Sequence, residues 1–245
     1  MLSIIIPTYN EQDFLPFLLK SIKAQDYKDC EIIVADANSE DRTRQVARDY
    51  GALVVNGGLP ATGRNLGAKA AKGEKFLFLD ADVYLPGKDF LSKTIFEFDS
   101  RALDLATCYL EPISDKKVDI LFHRLYNQYV KNLRFVTPHA AGFCIFVRRH
   151  VHEAIGGFNE NIKLAEDHDY SQRARKFGQF GFLESAKIPV SVRRFDRDGR
   201  TNIAIKYALC ELHMFAIGGV KNDIFKYRFG YNTKEKTNYD NKHDI

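Results

Sequence analysis

KFLFLDADVYLPG, residues 75–87, joins two unlike halves. Phe76, Leu77, Phe78 and Leu79 form a run apolar on both pleated faces, the pattern of a strand whose sheet is covered by helices on both sides. The run then releases two carboxylates, Asp80 and Asp82, before Pro86 and Gly87 close a turn. Side chains at i and i+2 of an extended segment point the same way, so the pair is expected to face one site just beyond a strand at 75–80. Two close carboxylates repel unless a proton or a cation stands near them. A divalent ion shared with a diphosphate would relieve that repulsion, and a solvated strand exit is the plainer alternative.

Working outward, LSIIIP (2–7), EIIVAD (31–36) and ALVVN (52–56) repeat the near-continuous apolar strand, with helical patterns at 11–25, 40–50 and 62–72 between them. This alternation predicts an α/β fold with a mainly parallel central sheet flanked by helices, and a C-terminal helical extension. Ligands of such sheets bind at the carboxyl ends of the strands, where Pro7 to Glu11, Asp36 and Asp80 to Asp82 fall.

The chain has 245 residues, 45% of them hydrophobic, enough for one large core. Its 36 Lys and Arg against 32 Asp and Glu leave +4, too little for a nucleic-acid footprint. Cys30, Cys108, Cys144 and Cys210 are scattered without a CxxC pair, which predicts neither a zinc site nor a disulfide framework and fits a reducing, cytoplasmic setting. The N-terminus passes straight into a strand, so no signal peptide is expected, and no apolar run reaches the length of a membrane span.

Several polar residues carry two readings. Tyr9 offers a ring for a base and Glu11 an acceptor for ribose hydroxyls, while Asn10 between them could simply cap the next helix. Asp36 could accept the ring N–H of uracil or the N–H pair of guanine. Ser39 and Asp41 read as partners for backbone N–H groups at a helix start. Arg64, in GRNLG at 63–67, is expected to open a helix and reach the phosphates or base of a ligand at that edge, with Asn65 fixing the loop. Glu166, Asp167 and Asp169 crowd the first turn of another helix, Arg173 and Arg175 read as partners of surface acids, and His139 reads as structural. VSVRRFDRDGR packs four arginines into 193–200, either a solvated face or an anion-binding flap. Residues 117–133 place Val118, Leu121, Leu125 and Tyr129 on one helical stripe, and 201–217 do the same with Ile205, Leu209, Leu212 and Phe215. Ordinary packing is the expectation for both stripes; peripheral membrane contact through their flanking Lys and Arg is the sharper alternative.

IIIPTYNEQ, IIVADANSEDRT, PATGRNLGAKAAKGEKFLFLDADV and GGFNENIKLAEDHDYSQRARKFG, taken in order from residue 3 to about 195, resemble glycosyltransferase family 2. The resemblance implies a glycosyltransferase A-type catalytic domain over 1–200. Its Rossmann-like nucleotide-sugar-binding half would be 1–112 and its acceptor-side half 113–200, with a C-terminal helix and polar tail at 201–245. It also implies a UDP- or GDP-linked sugar donor, a divalent cation (Mn2+ or Mg2+), an inverting displacement, and a glycan or lipid-linked acceptor, with no nucleic acid. Pro7, Tyr9, Glu11, Asp36, Arg64, Asp80, Ala81, Arg193 and Arg194 would then serve the donor, and Asp82 with Asp80 the metal. Asp167 would be the general base with Glu166 its rival, and Gly142 would let a hydroxyl or sugar approach on the acceptor side. Some relatives carry a metal-binding histidine after the catalytic acid; here no His lies between His168 and His213, which leaves a third ligand in doubt.

Two other functions compete. A sugar-nucleotide nucleotidyltransferase would carry a Gly- and Arg-rich phosphate loop where this chain has PTYNEQ, and a non-catalytic sugar-nucleotide-binding module would be expected to lose Asp82 or Asp167. No GxGxxG follows the first strand, which disfavours a dehydrogenase.

Overall fold

The computed structural model describes residues 1–134, 138–162 and 164–217, without the side chains of 207, 208, 211, 212 and 214–217; the expectations for Leu212, Phe215 and the polar tail lie outside it. The first strands form where apolar runs predict them: β1 (Leu2–Thr8), β2 (Cys30–Asp36), β3 (Leu53–Asn56) and β4 (Lys75–Phe78). Between them run α1 (Leu15–Lys23), α2 (Thr43–Asp49) and α3 (Pro60–Ala70). The chain continues through α4 (Phe90–Ser100), β5 (Leu105–Pro112), α5 (Lys117–Leu133), β6 (Ile145–Arg148) and α6 (Arg149–Ala154). It ends with α7 (Glu166–Ala174), β7 (Phe180–Val190), α8 (Arg193–Asp198) and α9 (Arg200–Ile217).

One seven-stranded sheet has the order β3-β2-β1-β4-β6-β5-β7. The expectation of a mainly parallel sheet holds: among the described strands only β6 runs against its neighbours, antiparallel to both β4 and β5. Both faces are buried. Ile4, Ile6, Ile32, Val34, Leu77 and Leu79 enter one apolar cluster, while the alternating Ile5, Ile33, Phe76 and Phe78 enter the other. That two-sided burial is why the strand sequences read as continuous rather than alternating.

Two helices set the shape of the site. A Cβ on Gly63 would stand 3.1 Å from that of Pro7, so glycine at this point lets α3 lie close on the end of β1. Because α3 starts at Pro60, Arg64 falls inside the helix rather than at its start, which corrects the sequence expectation. Proline is favoured in a first turn because its missing N–H would have no partner there.

α5 docks through polar groups, against the expectation that its apolar stripe packs inward. Asn127 accepts from the Leu110 N–H at 3.0 Å and donates to the Leu110 C=O at 2.8 Å, standing in for a neighbouring strand beyond the short β6. Asp119, fully buried, receives a two-pronged bond from Arg200 at 2.6 and 2.8 Å. The stripe itself is exposed: Val118 at 41%, Leu121 at 53%, Leu125 at 58% and Tyr129 at 40%.

His152 lies in the second core cluster, its Nδ1 2.9 Å from the Tyr170 hydroxyl. Burial, reinforced by the nearby Arg149 and Arg173 charges, pushes its pKa down from 6.5 to about 4. Below pH 6.5 the unfolded chain therefore binds a proton that the folded chain refuses, so stability falls as pH drops from 6.5 toward 4. Denaturant unfolding at pH 7 and 4.5 is expected to show about 2.5 kcal/mol of acid-dependent loss that disappears in His152→Met. An equal loss in the variant would show that other groups carry it.

Candidate active site

A cleft of about 980 Å3 opens beyond the carboxyl ends of β1 and β4. It gathers Pro7, Tyr9 and Glu11 after β1, Arg64 from α3, Asp80, Ala81 and Asp82 after β4, Glu166 and Asp167 from α7, and Arg193 and Arg194 from α8. Asp36 does not line it. That carboxylate is fully buried, 2.7 Å from Arg44 Nε, and accepts from the Thr8 hydroxyl at 3.0 Å and the Ser39 N–H at 3.0 Å. It organises the loops behind the cleft. Asn10 does the same and caps no helix: its N–H donates to Ser39 Oγ and its Oδ1 accepts from the Glu40 N–H, both at 2.9 Å. Tyr9 is left 40% exposed on the tethered loop. Asp41 holds the Thr43 N–H at 2.9 Å, at the start of α2 as expected.

Asp80 and Asp82 reach the cleft by another route than the sequence argument gave. β4 stops at Phe78 and the two acids sit in the following turn, so no shared strand face aligns them. Arginines do. Arg64, 2% exposed, donates from Nη2 to Asp80 at 2.9 Å and from Nη1 to Glu166 at 2.6 Å, its guanidinium 5.3 Å from the centre of the Phe158 ring. Asn65 clamps that ring's own backbone, accepting from the Phe158 N–H at 2.8 Å and donating to its C=O at 2.9 Å. Burial raises the pKa of both Asp80 and Glu166, against the lowering pull of Arg64 on each.

Across the site, a lone antiparallel bridge between Val83 and Val190 ties the acidic turn to the end of β7. It brings Arg193 Nε to 3.1 Å from Asp82 and Nη2 to 3.0 Å from Glu11, with the guanidinium 4.3 Å from the Phe14 ring centre. Burial pushes Glu11 up to about 7; Arg193 opposes the rise, and Asp82 and Asp80 add to it. The four clustered arginines thus divide. Arg193, Arg194 and Arg200 line the cleft, whereas Arg197 faces outward on its neighbour Asp198 at 2.7 Å.

The acidic turn of α7 is aimed by strain. Ala165, at its N-terminal boundary, has φ 62°, a left-handed conformation that costs a non-glycine residue about 1 kcal/mol. Asp167 Oδ2 accepts from the Gly142 N–H at 2.7 Å and Oδ1 from the His168 N–H at 2.9 Å. A Cβ on Gly142 would stand 2.5 Å from Arg64 Nη2, so the space this glycine leaves holds the arginine rather than a ligand. Asp169 is engaged by Arg173 at 2.7 Å, as expected of a surface pair. His139, buried, packs its ring 4.3 Å from that of His168.

Among the described residues, no three His, Cys, Asp or Glu side chains gather as a metal-ligand set. The hard carboxylate oxygens of Asp80 and Asp82 suit a hard divalent ion that would take its remaining ligands from outside the protein, not a cage made by protein alone. Sequence reasoning missed His123, Tyr126, Phe122 and His168 on the cleft wall. The first three lie on the flank of the α5 stripe, where spacing alone does not say which side turns inward.

The family model described as Glycosyl transferase family 2 matches residues 3–156. An uncharacterized glycosyltransferase of Rickettsia typhi is 30% identical over 182 residues, covering 69% of this chain and 57% of its own, so the chain spans little more than half of that relative. Among solved structures, S. aureus TarS 1–349 in complex with UDP-GlcNAc superposes with a TM-score of 0.64 at 23% identity, covering 78% of this chain and 58% of that one. The mannosyltransferase PcManGT from Pyrobaculum calidifontis, in complex with GDP-Man and Mn2+, gives 0.68 at 22% identity, with coverage of 88% and 64%. Both share the fold.

Proposed function

Because the chain belongs to glycosyltransferase family 2, we propose that it transfers a sugar, with inversion, from a UDP- or GDP-linked donor to an acceptor hydroxyl or lipid phosphate. The observation that carries this reading is one cleft holding Asp80 and Asp82 on the turn after β4 and Asp167 in the first turn of α7. The donor half is 1–112, where Tyr9 stacks the base and Glu11 meets the ribose. The two fold neighbours hold UDP-GlcNAc and GDP-Man, so both bases stay in the proposal.

Asp82 and Asp80 would hold the cation, which when bound offsets charge on the diphosphate. Arg193 and Arg194 take up phosphate oxygens from the other side, since guanidinium forks suit them. Asp167 accepts the proton of the acceptor hydroxyl as its oxygen bonds to the anomeric carbon; the bond to the diphosphate oxygen breaks and its electron pair leaves with the nucleotide. Glu166, held by Arg64, positions rather than reacts. A nucleotidyltransferase is disfavoured by the family match, and a non-catalytic module by the presence of both Asp82 and Asp167 in the cleft.

Calorimetry with UDP and GDP, with and without Mn2+, is expected to show metal-assisted binding that is abolished in Asp82→Asn while the fold survives. Nucleotide affinity unchanged by saturating EDTA would remove the metal from the proposal.

A further inference from the structure

We infer that the exposed face of α5, with that of α9, seats the protein on an anionic lipid bilayer, so that the cleft takes an amphiphilic acceptor carried in that bilayer. The acceptor part rests on the transferase reading above; the docking part does not.

Val118, Leu121 and Leu125 stand exposed on one side of a 17-residue helix about 25 Å long, and Ile205 at 59% and Leu209 at 48% are exposed on α9. Large apolar side chains so placed along helices that already have a buried side mark a contact surface. Their surroundings identify the contact. Lys117, Arg124 and Lys131 recur every seven residues, which sets an exposed cationic row beside the apolar one. The sole acid within α5, Asp119, is fully buried on Arg200. Within α5 the apolar row is flanked by cations without an exposed acid, the pattern of a helix lying in a lipid headgroup layer. Among the described residues no helix is long and apolar enough to cross a membrane, so the contact lies on the surface.

Two observations favour a lipid surface over a second copy of this chain. An antiparallel pairing of two α5 helices centred on Arg124 would set Arg124 against Arg124 and Lys117 against Lys131, a like-charge arrangement that disfavours that register. The apolar row also runs into the cleft, because Leu125 lines its wall with Phe122 and Tyr126, and Ala204 and Cys210 of α9 belong to the same lining. An alkyl or isoprenoid chain leaving the bilayer would meet apolar wall before its head group met Asp167.

Cosedimentation of the full chain with phosphatidylcholine vesicles, with and without phosphatidylglycerol, tests this. Binding is expected with the anionic vesicles only, weakening as salt rises. It should fall about fivefold for each cation removed in Lys117→Gln and Arg124→Gln, and at least about tenfold in Val118→Gln/Leu121→Gln. UDP and GDP titrations on the same variants should stay unchanged, so a failure of the donor reading is told apart from a failure of docking. Wild type that pellets equally without anionic lipid, variants that pellet like wild type, or a dimer in sedimentation velocity that Leu121→Gln splits would each overturn the inference.

Discussion

Asp167→Asn is expected to lower sugar transfer by about 10²- to 10⁴-fold while leaving UDP or GDP affinity nearly unchanged. In an inverting displacement the hydroxyl attacks from the side opposite the departing diphosphate, so the base must come from another element than the turn that holds Asp80 and Asp82. Two acids reach the cleft from α7, and their surroundings differ. Glu166 is 8% exposed and its Oε1 is held at 2.6 Å by Arg64, a charge-assisted bond that leaves it poorly placed to take a proton. Asp167 has a side chain 18% exposed on the cleft wall and is oriented by two backbone N–H groups, from Gly142 and His168. Those bonds fix its direction. Glu166→Gln, which keeps an oxygen for Arg64, is expected to cost less turnover than Asp167→Asn. Near-normal transfer in Asp167→Asn, or a collapse of nucleotide binding in place of turnover, would reverse the assignment.

The difference between these two acids was only half legible in the sequence. An acidic first turn marks a helix start, and the family resemblance chose Asp167, but the partner that immobilises Glu166 lies 102 residues away. The same distance problem hid Arg193, whose bond to Glu11 spans 182 residues. Local pattern found the residues and not their pairing. For Asp80 and Asp82 it found the right place for the wrong reason: an i, i+2 argument assumes an extended chain, and the strand had already ended.

Strand legibility followed burial. β1, β2 and β4 are covered on both faces, so their apolar runs are continuous, whereas β3 at the sheet edge is only half-buried and is legible from its apolar run alone. β5 and β7 escaped notice because each mixes polar residues into its second half, and their pairing slips between Cys108 and Tyr109. α5 shows the converse. Its limits at 117–133 were readable from periodicity, but its buried side was not, because Asp119 and Asn127 dock it by hydrogen bonds that a hydrophobic pattern does not register. What remains outside goes to a membrane or solvent, and the exposed apolar row is the consequence.

Arg64→Leu is expected to destabilise the fold by about 3–5 kcal/mol, because it removes the one cation shared by two carboxylates in a largely dry corner. Glu166 would be left buried and ionised, and Asp80, whose side chain is 32% exposed, would recover part of its loss through solvent. The contact with Phe158 goes as well, worth roughly 1 kcal/mol in such a place. Burial raises the pKa of both acids, and Arg64 is the strongest influence pulling Glu166 back down. A carboxyl whose folded pKa is raised contributes stability while protonated and loses it as pH climbs through that pKa, so the cost of Arg64→Leu should grow from pH 5 to pH 8. Adding Glu166→Gln to Arg64→Leu should restore much of the loss, since the stranded charge is then gone. Urea unfolding of the single and double variants at both pH values measures all three effects. A loss below about 1 kcal/mol, or a double variant no more stable than Arg64→Leu alone, would show that the corner is wetter than its geometry implies.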